Sequence, residues 1–262
     1  MKMGKMAKIN QNQKFWQRLM AVLILAISTG LLVVFTDSPV NAVFREQERN
    51  FQLSNSLSVL EKHHSLPPTL VKWHDKTNSG DYFDQIKSTK VGYLIWSSFP
   101  VKVNIETPKD IGEKQSQIWV NNVLKAVEEW SIYLPLQIVE KSDLADIKII
   151  RKVLPLQFEL NSKIPRARSA LTTYDLYTAN NILYHRFTIL LSPSQTGEYV
   201  LSAARHELVH ALGILCHSLS PTDTMYFSQV RNPPLISVRD VNTLKRIYEQ
   251  STSLGWSVLG KN

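Results

Sequence analysis

Residues 200–217 constrain the fold of this chain more than any other stretch, because their pattern fits an amphipathic helix that stops abruptly. His206 and His210 lie four residues apart, about one helical turn, so both imidazoles project from the same face. Gly213 follows, and glycine accepts the left-handed backbone that ends a helix. The stretch therefore predicts a helix that buries one side and offers the other to a cleft. The buried side is an apolar stripe of Leu201, Ala204, Leu208 and Leu212.

The histidine face of this predicted helix, HELVH, has the residues of a catalytic zinc site. Two imidazole nitrogens one turn apart can bind one Zn²⁺ at bond lengths of about 2.0–2.1 Å. Glu207 lies between the two histidines in angle, where a general base must be to take a proton from a zinc-bound water. The bare motif also arises by chance, but Gly213, a further ligand type after the turn and Met225 make two incidental histidines a poor explanation.

Two neighbouring side chains, Cys216 and His217, can supply the third ligand. A thiolate would weaken the ability of the metal to acidify water, and the non-helical loop after Gly213 can absorb one added residue, so His217 is predicted. Cys216 stays open as the alternative, because mixed histidine–cysteine catalytic zinc sites exist. The predicted metal ligands are thus His206, His210 and His217.

HELVHALGILCH followed by Met225 resembles the metzincin zinc peptidases, whose pattern is H-E-x-x-H-x-x-G-x-x-H with a downstream methionine turn. TMYF and the closing ISVRDVNTLKRIYE are most similar to the matrixin family and its bacterial members, and residues 91–249 follow the matrixin order of elements. The chain departs from the pattern in one place, since the usual register puts the third ligand at Cys216. The resemblance implies Glu207 as catalytic base, Met225 beneath the metal, and an edge strand near ARSALTTYDLY along which a peptide lies extended.

The pattern from residue 91 onward predicts an α+β fold. VKVNI, residues 101–105, alternates as a strand does, and residues 118–130 have a helical period. Ser237 and Asp240 are typical of a capping box that opens a last helix. The resemblance to metzincins implies a metzincin-like or zincin-like fold, a mixed twisted sheet with an active-site helix and a C-terminal helix. Further strands are predicted over 136–139, 145–150, 167–177 and 181–191, the last with His185 as an ordinary hydrogen-bonded side chain.

The N-terminal 42 residues have the order of a secretory signal. A basic stretch precedes LMAVLILAISTGLLVVF, residues 19–35, and small residues precede a cleavage position after Ala42. The chain is predicted to be extracytoplasmic (secreted or periplasmic), with a retained membrane anchor over residues 19–35 as the alternative. Residues 43–90 are predicted to be an extension, propeptide-like or packing, with weak helical patterning up to Pro67–Pro68. Residues 91–262 are the predicted catalytic domain.

Charge excludes one class of partner. Of the 30 basic and 22 acidic residues, residues 1–42 hold five and one, so the remainder carries a net charge of only +4. No basic run with interleaved aromatic residues occurs, and nucleic-acid binding is not expected.

The expected partner of this monomer is a peptide or protein substrate. No cysteine precedes Cys216, so the cysteine-based latency of many matrixins is excluded, and Asp75, Asp81 or Asp84 are weaker candidates for a blocking group.

The function predicted is an exported zinc-dependent endopeptidase. Two rivals stay open: a catalytically silent zinc-binding or peptide-binding module of the same fold, and a membrane-tethered structural protein with an incidental histidine helix. A different zinc peptidase with Glu249 as third ligand is a weaker variant.

Overall fold

A five-stranded mixed sheet and a separate two-stranded sheet form the β-structure of the described residues. The structure, a computed structural model, describes residues 60–154 and 168–258, which belong to a compact unit spanning residues 42–262. The predicted signal or anchor in residues 1–42 lies outside the described residues, as does the stretch 43–59. In chain order the elements are β1 (Lys62–His63), α1 (Pro68–Lys72), β2 (Val101–Ile105), α2 (Glu113–Ser131), β3 (Leu136–Ile138), β4 (Ile147–Arg151), β5 (Ala170–Ala179), β6 (Ile182–Leu191), α3 (Glu198–Ala211), α4 (Val238–Tyr248) and β7 (Ser251–Thr252).

The sheet has the order β3-β2-β4-β6-β5, and only its last pair is antiparallel. β5 and β6 form a hairpin of two ten-residue strands, closed by Asn180 and Asn181 with φ of 51° and 61°. Asparagine tolerates this left-handed conformation better than most residues, and a two-residue turn with two positive φ values matches the twist of the strands. β5 is therefore an edge strand, with one side paired to β6.

Two helices pack beside the sheet and against each other. α2 buries Trp119, Val123, Val127 and Trp130, the predicted stripe. The indole Nε1 of Trp130 donates to the carbonyl of Arg205 in α3 (3.0 Å), and the buried Arg205 guanidinium pairs with Glu129 of α2. α2 begins five residues before the predicted start, because its first turn is polar and carries no apolar period. These contacts hold α3 firmly in the core.

Residues 60–90 are packed into the same hydrophobic core. Leu70 is fully buried, and Tyr82 and Ile86 are nearly so. The Tyr82 hydroxyl donates to Asp240 in α4 (2.6 Å), and β1 pairs with β7 near the C-terminal end of the described residues. The expected helical patterning before Pro67–Pro68 is wrong for residues 60–67; the short helix α1 instead begins at Pro68, where proline fits the first helical position.

The class predicted from the sequence, α+β with a mixed sheet, is confirmed. The five predicted strands correspond to β2 to β6, the histidine helix to α3 and the last helix to α4. Ser237 caps α4 with the reciprocal hydrogen bonds of a capping box to Asp240. Within residues 60–154 and 168–258, no helix has the length and apolar character needed to cross a bilayer.

Candidate metal centre

α3 carries two of the predicted ligands and ends where the sequence indicates. His206 and His210 lie in its last two turns, and the chain leaves the helix at Gly213, whose φ is +124°. A Cβ at this position would approach the Leu94 carbonyl oxygen to 3.0 Å, so both the conformation and the space favour glycine. The turn brings the Ile214 carbonyl back toward the helix, where it meets the His210 ring.

Three histidines converge at this turn. His217 approaches from the loop, and its Nε2 lies 3.1 Å from the Nε2 of His206. One nitrogen from each of His206, His210 and His217 lies within 4.8 Å of the others. Two nitrogens on one tetrahedral ion with bonds of 2.0–2.1 Å are about 3.3 Å apart. The cluster can therefore bind a metal ion with small adjustments of the rings.

Backbone carbonyls orient two of these rings. The Nδ1 of His206 lies 2.8 Å from the Thr224 carbonyl oxygen, and the Nδ1 of His210 lies 2.6 Å from that of Ile214. Because a carbonyl oxygen only accepts, each Nδ1 must carry the proton and donate. The neutral ring then has its lone pair on Nε2, and this second hydrogen bond fixes the orientation of a ligating histidine.

Burial keeps two of the imidazoles neutral, which is the form that binds metals. Loss of hydration lowers the pKa of His210, and the neighbouring His206 and His217 lower it further. Burial likewise lowers the pKa of His217 to about 3, with His206 adding to the effect. His206 and His217 remain half-buried while His210 is buried, so the cluster is open to solvent on one side.

Glu207 is buried beside the cluster. The hydroxyl of Thr172 in β5 donates to its Oε2 (2.6 Å). Burial raises the pKa of this carboxyl, while His206, the Thr172 hydroxyl and the Arg168 charge lower it. Thr172 is a site residue that the sequence reading missed, since a threonine in a strand of alternating pattern carries no signal of its contact.

The loop after His217 is held by hydrogen bonds and burial close to the histidine cluster. Met225 is fully buried, and its carbonyl oxygen accepts from the N–H of Ser218 (2.7 Å). The preceding Thr224, whose carbonyl oxygen accepts from His206, donates its own N–H to the Asp240 carboxylate (2.9 Å). The N-terminal end of α4 therefore holds the loop that orients a ligand.

Cys216 does not belong to the cluster formed by the described residues. The metal-binding group contains His217, and Cys216 packs partly buried against the hydrophobic core. Burial raises the pKa of its thiol to about 12, which disfavours the thiolate that metals need. This geometry favours His217 as the third ligand.

The other predicted side chains lie elsewhere. The Asp75 carboxylate accepts a hydrogen bond from Asn242 of α4, and Asp81 forms an ion pair with Arg246 of the same helix. These two carboxylates therefore have partners outside the cluster. Glu249 is the residue after α4, and its carbonyl oxygen lies 2.9 Å from the Nδ1 of His63.

His185 departs from the expected hydrogen-bonded side chain. It lies in β6 as predicted, stacked on Trp96 with ring centroids 4.0 Å apart, but its buried Nε2 has no hydrogen-bond partner. Burial lowers its pKa to about 3. It lines a small cleft of about 100 Å³ together with Asp146, Tyr177 and Gly255.

No protein-family model matches this chain, and a search of the curated proteins also finds no match.

Proposed function

We propose that this chain is a zinc-dependent endopeptidase of the metzincin type, nearest to the matrixins. The observation that carries the proposal is a cluster of three histidines with a buried glutamate next to one of them in sequence. Structural zinc sites have four protein ligands, whereas catalytic sites have three and keep a position open. His206 and His217 are only partly buried, which supports an open position that a substrate can reach.

The chain's own residues provide the chemistry expected of a peptidase. Bound zinc supplies Lewis-acid chemistry, polarising the scissile carbonyl and making water more acidic. Glu207 takes a proton from the attacking water and returns it to the leaving amine. Its burial supports this role, because a raised pKa brings a carboxylate closer to the pH at which it works.

The edge strand β5 supports the proposed substrate position. Its outer side has no strand partner within the described sheet, and its residue Thr172 contacts Glu207. A peptide that adds to this edge as a further strand would run past the histidine cluster. We therefore propose an extended peptide or unfolded protein as the substrate.

Export belongs to the same proposal and rests on the sequence of residues 1–42. The uncharged run over residues 19–35 supports a signal that is removed, or an anchor that is retained. Intact mass of the exported chain separates these outcomes, since cleavage after Ala42 removes the first 42 residues.

The proposed activity is tested with the full chain and an unfolded, fluorescence-quenched protein as substrate. We expect turnover that is lost on chelation and restored by zinc. Glu207→Gln keeps the shape of the side chain and should lower kcat by about 10²–10⁴-fold. The matched control is Glu198→Gln at the exposed start of the same helix, which should keep kcat within twofold. Bound zinc without turnover in the wild type would instead support the silent binding module.

A further inference from the structure

The hydroxyl of Thr172 connects the edge strand to the proposed general base. The Oγ1 of Thr172 lies 2.6 Å from the Oε2 of Glu207 and 3.2 Å from the backbone carbonyl oxygen of the same residue. A hydroxyl has one proton, and the shorter distance assigns it to the carboxylate. Hydrogen bonds to an ionised group are about twice as strong as neutral ones.

The place of this hydroxyl in β5 is unusual for a buried strand position. Ala170, Thr172 and Tyr174 alternate on the buried face of the strand, and Thr172 is only 2% exposed. A buried hydroxyl is unfavourable unless it is hydrogen-bonded, and valine has nearly the same shape with high strand propensity. Packing alone therefore does not explain threonine here, whereas its bond to Glu207 does.

Anchoring one carboxylate oxygen has two consequences for a base beside a metal. It restricts the side-chain torsions of Glu207, so the carboxylate is held in one orientation. It also opposes direct binding of the carboxylate to zinc, which carboxylates do readily at about 2.0–2.2 Å. A glutamate adjacent to His206 without an anchor would compete for the open position.

We propose that Thr172 is a positioning residue for Glu207. Its hydroxyl aligns the carboxylate of this base with the strand that receives the substrate. This inference rests on the proposed peptidase function. The contact ties β5 to α3, so the orientation of the carboxylate is coupled to the strand along which the substrate is proposed to lie.

The test compares Thr172→Val, which removes only the hydroxyl function, with Thr172→Ser, which keeps it. In the full chain, Thr172→Val should lower kcat about tenfold and change KM less than twofold. Thr172→Ser should stay within threefold of the wild-type kcat. Thr188→Val in the neighbouring strand β6 is the matched control and should keep kcat within twofold.

A double-mutant comparison with Glu207 distinguishes a positioning role of Thr172 from a general loss of stability. In a Glu207→Ala background, Thr172→Val should change the residual kcat less than twofold. Zinc affinity, measured by chelator competition, should stay within threefold in Thr172→Val. In metal-free protein, Thr172→Val should lower the thermal midpoint by about 3–6 °C, and by less than half of that when Glu207 is alanine.

Three results overturn the inference. An unchanged kcat in Thr172→Val, with an active wild type, removes the positioning role and leaves the peptidase intact. A parallel loss of zinc affinity of tenfold or more assigns Thr172 to the metal site instead. Absence of zinc-dependent turnover in the wild type removes the proposed function and the positioning role together.

Discussion

The histidine cluster and the His185 cleft both contain buried imidazoles, yet only the cluster has the geometry of a site. Burial lowers the pKa of His217 and of His185 to about 3 in each case. In the cluster, backbone carbonyl oxygens accept hydrogen bonds from the Nδ1–H groups of two rings, and the three residues converge. His185 lies outside this group, stacks on Trp96, and has no hydrogen-bond partner at its Nε2. A lowered pKa shows burial, whereas convergent and oriented nitrogens indicate ligand chemistry.

Removal of single imidazoles tests this difference most strongly. Substitution of His206, His210 or His217 by alanine should lower zinc affinity by at least about 100-fold, because even partners outside the ligand set contribute 10–100-fold. His185→Phe should leave zinc content at one ion per chain. Metal analysis after dialysis, followed by chelator competition, measures both. Loss of zinc in His185→Phe would break the distinction between the two regions.

Acid should destabilise the protein through His185, and His185→Phe should remove this part of the pH dependence of stability. Its folded pKa, about 3, lies below the ordinary value of 6.5, so the unfolded chain binds more protons between these limits. Stability therefore falls as the pH falls, by about 2 kcal/mol between pH 7 and pH 5 for this residue. Urea unfolding of metal-free wild type and His185→Phe at both pH values measures its share.

Two other features of the molecule bear on that acid experiment. His210 and His217 contribute in the same direction, so the difference between variant and wild type is the relevant quantity. Asp146 lines the same cleft, and burial raises the pKa of its carboxyl. Asp146→Asn is therefore the control, since it removes this second titrating group and keeps His185. An equal pH dependence in wild type and His185→Phe would show that His185 is hydrated in solution.

The support of the cluster by α4 should be measurable as a smaller effect. Tyr82→Phe removes the hydroxyl that donates to Asp240, whose carboxylate also accepts from the Thr224 N–H. We expect the free energy of unfolding to fall by about 1–2 kcal/mol and zinc affinity to fall less than tenfold. Chemical unfolding and zinc titration measure the two quantities. Tyr93→Phe serves as the control, and a complete loss of zinc in Tyr82→Phe would contradict indirect support.

Cys216 provides the smallest expected effect. Because its thiol is packed against the core and its pKa is raised to about 12, Cys216→Ser should change zinc affinity less than threefold. Stability should fall by about 1 kcal/mol from the loss of an apolar contact. A loss of zinc comparable with that of His217→Ala would assign the third ligand to sulfur.

Periodic segments of this chain could be predicted from the sequence because their signals are local. The strict alternation of residues 101–105 and the stripe from Trp119 to Trp130 identified β2 and α2, although the polar first turn of α2 hid its start. The capping box at Ser237 marked the beginning of α4 within one residue. In each case a few neighbouring side chains determine the element.

Contacts between distant segments could not be predicted in the same way. Thr69 and Tyr82 donate hydrogen bonds to Tyr133 and Asp240, which lie 64 and 158 residues away in sequence. The carbonyls that orient His206 and His210 leave no signal at all, because every residue has one. The contact of Thr172 with Glu207 depends on how β5 crosses α3, which no local pattern determines.

The carboxylate of Asp240 accepts hydrogen bonds from Tyr82, Thr224 and Ser237, three segments that are separate in sequence. The loop cannot open at Thr224 without breaking the hydrogen bond from its N–H to Asp240, the carboxylate that also holds Tyr82 and Ser237. The Thr224 amide should therefore exchange with solvent deuterium when the whole unit unfolds, rather than by local opening. It should be among the slowest amides to exchange outside the helices and strands, so the point at which the loop orients His206 is as persistent as the core.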